Sequence, residues 1–229
     1  MHRQIILDTE TTGLSPEAGE RIIEIGCIEL IDRKITKNHF HTYLNPDKTI
    51  SIEALEVHGI NNAFLADKPR FADIAPQLLD YLKGAELIIH NADFDRNFLD
   101  HEISIACEHT GLPLDHIGSI CTITDSLQLA KQKYPGQRNS LDALCKRHQI
   151  DLSVRNKHGA LLDAELLAQV YLRMTGGQIS LTLEPDTQKA TQKHQNANRT
   201  KAYPRIHIAH ASAEDIARHR QWLAAAKSG

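Results

Sequence analysis

A short apolar stretch near the start of the sequence, residues 5–7, runs directly into two acidic residues, Asp8 and Glu10. In a β-strand, residues i and i+2 project to the same face, so the two carboxylates would lie side by side. Two carboxylates about 4 Å apart repel by roughly 4 kcal/mol at an effective dielectric near 20, so folding alone gains nothing from this arrangement. The pattern indicates either a solvated strand end or a site for a hard divalent cation, which prefers oxygen ligands.

A second apolar strand ends in acids within the segment LIIHNADFDRNF. Strand ends on one side of an α/β sheet are where binding sites assemble. We take Asp95 as the candidate ligand, because Phe94 and Phe98 would turn inward and hold the turn against the core. Asp93 is interpreted as a helix N-cap, and the alternative for this segment is that both acids only cap the helix.

A third segment, KHGALLDAELLAQVYL, places Asp163 within an otherwise apolar helix face. His158 precedes it by five residues, a poor same-face spacing for a regular helix, so we expect this histidine on the preceding loop. From there it could approach a metal-bound water without ligating the metal, although a loop histidine is more often simply solvated.

Four acids on three separate segments, together with this histidine, indicate a two-metal hydrolase. In such enzymes, metal ions about 3.5–4 Å apart stabilise the attacking and leaving oxygens of a phosphoryl transfer. A histidine with an ordinary pKa near 6.5 can accept the proton of the attacking water at neutral pH.

Segments rich in apolar and β-branched residues predict strands, and apolar residues spaced by three or four predict helices. The predicted strands are Gln4–Leu7, Ile22–Leu30, Phe40–Leu44 and Leu87–His90. The predicted helices cover residues 71–82, begin near Phe94 and after an N-cap at Ser140, and run from Leu161 to Gly176–Gly177. Strands come first and then intermix with helices, so the predicted class is α/β with a mixed sheet.

Composition limits the functional classes. The 229 residues are 41% hydrophobic, enough for one sizeable core, and contain neither a membrane-spanning apolar stretch nor a signal peptide. The four cysteines are scattered without a C-x-x-C pair, which favours reduced thiols in a cytoplasmic protein over a cysteine zinc site. The net charge of −3 excludes a purely electrostatic nucleic-acid binder, so any such role requires a local site.

The sequence changes character after residue 177. Residues 184–201 contain no aromatic or large aliphatic residue, and such a stretch is expected to be a flexible linker. Beyond it, RIHIAHA resembles a short strand, and Ser212 with Asp215 resembles a capping box before Trp222. The segment beyond residue 201 is too short to build its own hydrophobic core. We therefore interpret it as an element that docks on a partner, and the alternative is a disordered tail.

The segments DTETTGL, HNADFD and HGALLD, in this order, resemble the three motifs of the histidine-bearing DEDD superfamily of 3′–5′ exonucleases. VHGI at 57–60, CTITDSL at 121–127 and RNSLDALC at 138–145 are also similar to that family. The resemblance covers about residues 3–178 and is closest to proofreading subunits of bacterial replicative DNA polymerases. It implies an RNase H-like fold, with a five-stranded mixed sheet and helices on both faces.

The resemblance also implies roles for individual residues. Two Mg²⁺ or Mn²⁺ ions would be held by Asp8, Glu10, Asp95 and Asp163, with His158 as general base. The 3′ end of single-stranded DNA would contact Glu10, Thr11, His58, Asn91 and Phe94.

In this family's arrangement, Glu10 and Thr11 would contact the hydroxyl of the 3′-terminal nucleotide. Asn91 would lie on the side of the site that holds the phosphate. His58 and Phe94 would line the pocket for the terminal bases. From the residues alone, His58 is better explained as a helix C-terminal cap beside Gly59, and Phe94 as core packing.

The implied organisation is an exonuclease domain at 1–178, a linker at 179–201 and a tail at 202–229 that binds the polymerase alpha subunit. Residues 178–183, QISLTL, resemble a peptide that binds the sliding clamp, but Leu183 stands where an aromatic residue is often found, so we expect a weak contact or an ordinary linker start. A small accessory subunit is a further expected partner. The alternatives are an RNA-trimming exonuclease or oligoribonuclease of the same superfamily, and a scaffold whose site has decayed.

Overall fold

The first apolar stretch becomes the central strand of a five-stranded mixed sheet in the computed structural model, which describes residues 2–110, 116–153, 155 and 157–176. The strands are β1 (Arg3–Thr11), β2 (Ile22–Ile31), β3 (Lys34–Tyr43), β4 (Glu86–Ile89) and β5 (Thr122–Asp125). They lie in the order β3-β2-β1-β4-β5. The β1–β2 and β2–β3 pairs are antiparallel, whereas β4 runs parallel to both β1 and β5.

Helices flank the sheet on both faces. In the described part of the chain they are α1 (Ile52–His58), α2 (Asn62–Leu65), α3 (Phe71–Leu82), α4 (Ala92–Thr110), α5 (Ser126–Lys133), α6 (Leu141–Arg147) and α7 (Ala160–Thr175). Two short 3₁₀ turns cover Pro16–Ala18 and Ile117–Ser119. None of the helices described in the structure is long and apolar enough to span a lipid bilayer.

Alternation along β1 divides the core between the two faces. Ile5 and Leu7 pack in a cluster with residues of α3 and α4, whereas Ile6 packs in a cluster with residues of α7. Continuing this alternation directs the even-numbered acids Asp8 and Glu10 to the face that carries α7.

Gly26 allows α7 to begin directly against the sheet. Gly26 pairs with Asp8 across β1 and β2, and a Cβ atom built on it would lie 2.3 Å from the carbonyl carbon of Ala160. The carboxylate of Glu24, also on β2, accepts a hydrogen bond from the Ala160 N–H at 3.1 Å and so satisfies one of the free amides of the helix N-terminus. The first turn of α7, which carries Asp163, is thereby fixed beside β1.

The mixed α/β sheet with helices on both faces is confirmed, with some corrections. The first strand extends to Thr11, so both acids belong to the strand itself, and β5 was not predicted from residue pattern. Ser140 is confirmed as an N-cap, because its side chain accepts a hydrogen bond from the Ala143 N–H. The N-cap prediction for Asp93 is wrong: Asp93 is the second residue of α4, and its Oδ1 lies 2.9 Å from Arg96 Nη2.

The predicted linker, clamp-binding peptide and tail lie outside the described residues, as do the strand and capping box expected within the tail. The described residues all fall within one compact unit of the chain.

Candidate active site

Asp95 reaches the end of β1 because β4 is shorter than its neighbour. Pairing between β1 and β4 ends at Ile6 and Ile88, and the chain then turns through Asn91, whose φ of 69° is in the left-handed region. The first turn of α4 follows at once and brings Asp95 beside β1, where Thr9 Oγ1 donates a hydrogen bond to Asp95 Oδ1 at 2.7 Å. Thr9 had no predicted role.

Glu10, His158 and Asp163 converge at the same place. One potential ligand atom from each lies within 4.8 Å of the others. His158 Nδ1 lies 3.0 Å from Asp163 Oδ2, and His158 is on the loop before α7, as its spacing from Asp163 predicted. Asp163 is buried, but its Oδ1 has no hydrogen-bond partner among the described residues.

The carboxyl groups are in an environment that opposes their ionisation. Burial raises the pKa of Asp8 well above its ordinary range, and the nearby charges of Asp95, Asp163 and Glu10 raise it further. Burial, followed by the charges of Asp163, Glu24 and Asp95, raises the pKa of Glu10 to about 8. Burial likewise raises the pKa of Asp95 to about 7, although the hydrogen bond from Thr9 opposes that rise.

These residues fit divalent cations. The candidate donors are carboxylates with an imidazole beside them, the buried Asp163 Oδ1 has no partner among the described residues, and the crowded acidic groups favour a compensating cation. Asp8 and Asp95 are not in the three-residue group, but their charges act on that group and on each other. The structure therefore brings all four predicted acids into one electrostatic cluster at the end of β1.

Arg155 is a residue of this cluster that the sequence did not indicate. Its Nη2 donates a hydrogen bond to Asp163 Oδ2 at 2.6 Å, and its charge lowers the pKa of both Asp8 and Glu10. The only sequence signal was a cation three residues before His158, and a loop arginine is too common to be informative by itself.

A cleft of about 230 Å³ opens beside the cluster. Four of the five predicted substrate-binding residues are on its wall, namely Glu10, Thr11, His58 and Phe94. Asn91 is not on that wall; it is exposed before α4, and its N–H donates a hydrogen bond to Asp125 Oδ1 at 3.3 Å. The wall also includes Leu14, which is 87% exposed, and Val57, which is half exposed.

His58 and Phe94 each have a structural role and also border the cleft. His58 is the last residue of α1, before Gly59 with its φ of 75°, yet its side chain borders the cleft. Its Nδ1 accepts a hydrogen bond from the Ile60 N–H at 3.0 Å, and burial lowers its pKa. Phe94 contacts the buried Phe98 ring at 5.0 Å between centroids while forming part of the cleft wall.

A family model described as "Exonuclease" matches residues 5–171. The chain belongs to the exonuclease family. The chain is 48% identical over 227 residues to the DNA polymerase III subunit epsilon of Salmonella typhimurium, covering 96% of this chain and 92% of the relative. Identity to the protein of that name from Escherichia coli K12 is 46%, with the same coverage. Among solved structures, Exonuclease X in complex with 5′ overhanging duplex DNA has a TM-score of 0.59 and 29% identity, covering 76% of this chain and 91% of the other.

These similarities confirm the predicted superfamily, the RNase H-like fold and a proofreading 3′–5′ exonuclease of the epsilon type. They favour an enzyme over the alternative of a scaffold without activity. Exonucleases of this family typically use divalent metal ions. The roles of the individual site residues stay predictions.

Proposed function

We propose that this exonuclease removes mispaired nucleotides from the 3′ end of DNA as a subunit of the replicative polymerase, by two-metal hydrolysis of the terminal phosphodiester. The observation that carries the proposal is the convergence of Glu10, His158 and Asp163 within 4.8 Å beside an apolar cleft. A buried Asp163 oxygen without a partner supports a cation as the missing component.

In this proposal, two Mg²⁺ or Mn²⁺ ions are held by Asp8, Glu10, Asp95 and Asp163. When bound, the ions stabilise the attacking and leaving oxygens of the phosphoryl transfer. The protein supplies the rigid frame for its ligands: β1 carries two of them, the Thr9 hydroxyl orients Asp95, and the contact at Gly26 fixes the helix that carries Asp163.

His158 is proposed as the general base. The side chain of His158 is 48% exposed, so water can reach the ring. His158 is on a loop, and its ring lies next to the carboxyl groups of Glu10 and Asp163. A positioned base contributes roughly 10²–10⁴-fold to such a reaction. The ring accepts the proton of the attacking water, and the released nucleoside monophosphate leaves a shortened strand with a new 3′ hydroxyl.

The cleft is proposed to hold the terminal nucleotides. Phe94 offers an aromatic ring on which a base can stack, a contact worth roughly 1–3 kcal/mol, and Leu14 and Val57 add apolar surface beside it. Glu10 and Thr11 would meet the terminal hydroxyl, and Asn91 would support the phosphate side. Because only an unpaired strand enters, and a mispaired end frays more readily, selectivity follows from the cost of unpairing.

The remaining partners follow from the same proposal. The tail at 202–229 would bind the polymerase alpha subunit in the cytoplasm, residues 178–183 would make a weak sliding-clamp contact, and a small accessory subunit would be a further partner. A flexible tether at 179–201 would hold the nuclease at an effective concentration of about millimolar, so weak individual contacts suffice.

The test uses the purified chain with Mg²⁺ and strands labelled at the 5′ end. We expect stepwise shortening from the 3′ end, faster on mispaired than on paired DNA, and no comparable activity on matched RNA. The Asp163→Asn variant serves as the control for contaminating nucleases. Preference for RNA would favour the trimming-exonuclease alternative, and equal rates on paired and mispaired ends would contradict proofreading.

A further inference from the structure

Arg155 connects three parts of the site. Its side chain is only 8% exposed and lies between α6 and the first turn of α7. Nη1 donates a hydrogen bond to Asp142 Oδ1 near the start of α6, and Nη2 donates one to Asp163 Oδ2 at 2.6 Å. Nη2 also lies 2.6 Å from His158 Nδ1, so one guanidinium contacts both the acid on α7 and the histidine on the loop.

The two oxygens of Asp163 therefore have different surroundings. Oδ2 is engaged by Arg155 and His158, whereas Oδ1 is buried and has no partner among the described residues. A carboxylate held through one oxygen cannot rotate freely, so its other oxygen keeps a fixed direction. The planar guanidinium suits this task, because its donors are fixed in a rigid fork.

We propose that Arg155 is a positioning residue: it holds Asp163 through Oδ2 so that Oδ1 stays free for a divalent cation, and Asp142 anchors it. This inference rests on the metal site proposed above. The same contacts fix the loop that carries His158, so Arg155 couples the orientation of the base to that of the ligand. Asp142 is more than half exposed and is not in the metal group, so its part is to hold the guanidinium in place.

If Arg155 had a different role, as a substitute for the metal ion, its removal would change metal affinity in the opposite direction. If Arg155 only substituted for a cation among the acids, a metal ion would have to displace it, and removal of the arginine would tighten metal binding. If it positions Asp163, removal loosens metal binding, and partners of metal ligands are typically worth 10–100-fold in affinity. The direction of the change in Mn²⁺ affinity therefore distinguishes the two roles.

The experiment is a titration of the full chain with Mn²⁺, in which free Mn²⁺ is measured by electron paramagnetic resonance. We expect Arg155→Gln to weaken Mn²⁺ binding by about 10–100-fold. Asp142→Asn is expected to weaken Mn²⁺ binding less than Arg155→Gln does. Combining the two substitutions should add little to the effect of Arg155→Gln alone, because Asp142 acts only by holding Arg155 against Asp163. Arg173→Gln is the matched control: it removes the same charge near the far end of α7, where Arg173 Nη1 donates to the backbone oxygen of His148.

Unchanged or tighter Mn²⁺ binding in Arg155→Gln would overturn the proposal. If that variant does not fold, as judged by circular dichroism, Asp142→Asn decides, and wild-type affinity in this variant overturns the proposal equally. Asp163→Asn separates this inference from the proposed function: if it binds Mn²⁺ like the wild type, the metal site itself is wrong. If Asp163→Asn loses Mn²⁺ while Arg155→Gln keeps it, only the role of Arg155 is rejected.

Discussion

The backbone of Ala160 lies so close to Gly26 that any larger residue on β2 at this position would collide with the start of α7. The atoms that a Cβ would meet belong to the backbone of Ala160 and Leu161, which cannot move without displacing the helix. This contact sets the distance between β1 and Asp163, and thus the geometry of the candidate active site.

The first prediction concerns that contact. Gly26→Ala should destabilise the protein by about 1–3 kcal/mol, the usual cost of overpacking, and should reduce nuclease activity because Asp163 moves away from β1. Urea unfolding and single-strand DNA degradation measure the two effects. Gly118→Ala is the matched control, since a Cβ there meets only the movable ring of His116. Full activity in Gly26→Ala would show that the site tolerates displacement of α7.

The second prediction concerns Asp8. Asp8→Asn should abolish DNA degradation, yet raise the melting temperature in EDTA, because burial and the neighbouring acids raise the pKa of Asp8, so folding must protonate this group or bury its charge, whereas Asn needs neither. The melting temperature of wild type and variant, each in EDTA and in Mn²⁺, measures this effect. We expect Mn²⁺ to stabilise the wild type and to have little effect on the variant. A variant that stays active would contradict the assignment of Asp8 as a metal ligand.

The third prediction concerns pH. In the metal-free protein, the pKa of Glu10 is raised to about 8 and that of Asp95 to about 7. A carboxyl group with a raised folded-state pKa contributes stability below its unfolded pKa, and this stability is lost as pH rises through the folded-state value. The melting temperature in EDTA should therefore fall from about pH 5 to about pH 8.

Mn²⁺ requires ionised ligands, so the rise in melting temperature that Mn²⁺ causes should grow over the same interval. Thermal denaturation at several pH values, with EDTA or Mn²⁺, measures both trends. An Mn²⁺ effect independent of pH would mean that these carboxyl groups do not bind the ion.

The fourth prediction concerns His158. His158→Ala should slow hydrolysis by roughly 10²–10⁴-fold, the usual contribution of a positioned base, while Mn²⁺ binding persists. His39→Ala, an exposed histidine on the edge strand β3, is the control and should keep full activity. Loss of Mn²⁺ binding in His158→Ala would instead make this histidine a metal ligand.

The fifth prediction concerns the C-terminal segment. Removal of residues 184–229 should leave nuclease activity on single-stranded DNA unchanged, because every proposed site residue precedes residue 164. Association with the polymerase alpha subunit, measured by pull-down, should be lost. Association that persists would place the polymerase contact on the nuclease domain.

The acids of the candidate site could be predicted from the sequence because the evidence for each is the spacing of residues within one short segment. A strand repeats every two residues, so Asp8 and Glu10 were expected on one face, and they are directed to the face that carries α7. The spacing between His158 and Asp163 likewise excluded a shared helix face. Asp93 was misinterpreted because the helix begins at Ala92, two residues earlier than an N-cap at Asp93 requires, after the left-handed turn at Asn91.

The parts that sequence reasoning missed depend on contacts between distant segments. Gly26 is needed because Ala160 approaches it from 134 positions further along the chain. Arg155 matters because of Asp142 and Asp163, which come from two different helices. Strand β5 has only four residues, with Ile123 as its single large apolar side chain, so residue pattern alone did not predict it; only the family resemblance implied a fifth strand.

The position of β1 at the centre of the sheet, with α7 packed against it, has a consequence for protein synthesis. The first strand, with Asp8 and Glu10, emerges from the ribosome early; Asp95 follows on α4, and Asp163 is added only when α7 has been made. Nascent or truncated chains that lack α7 therefore lack Asp163, one of the four acids that we propose as metal ligands.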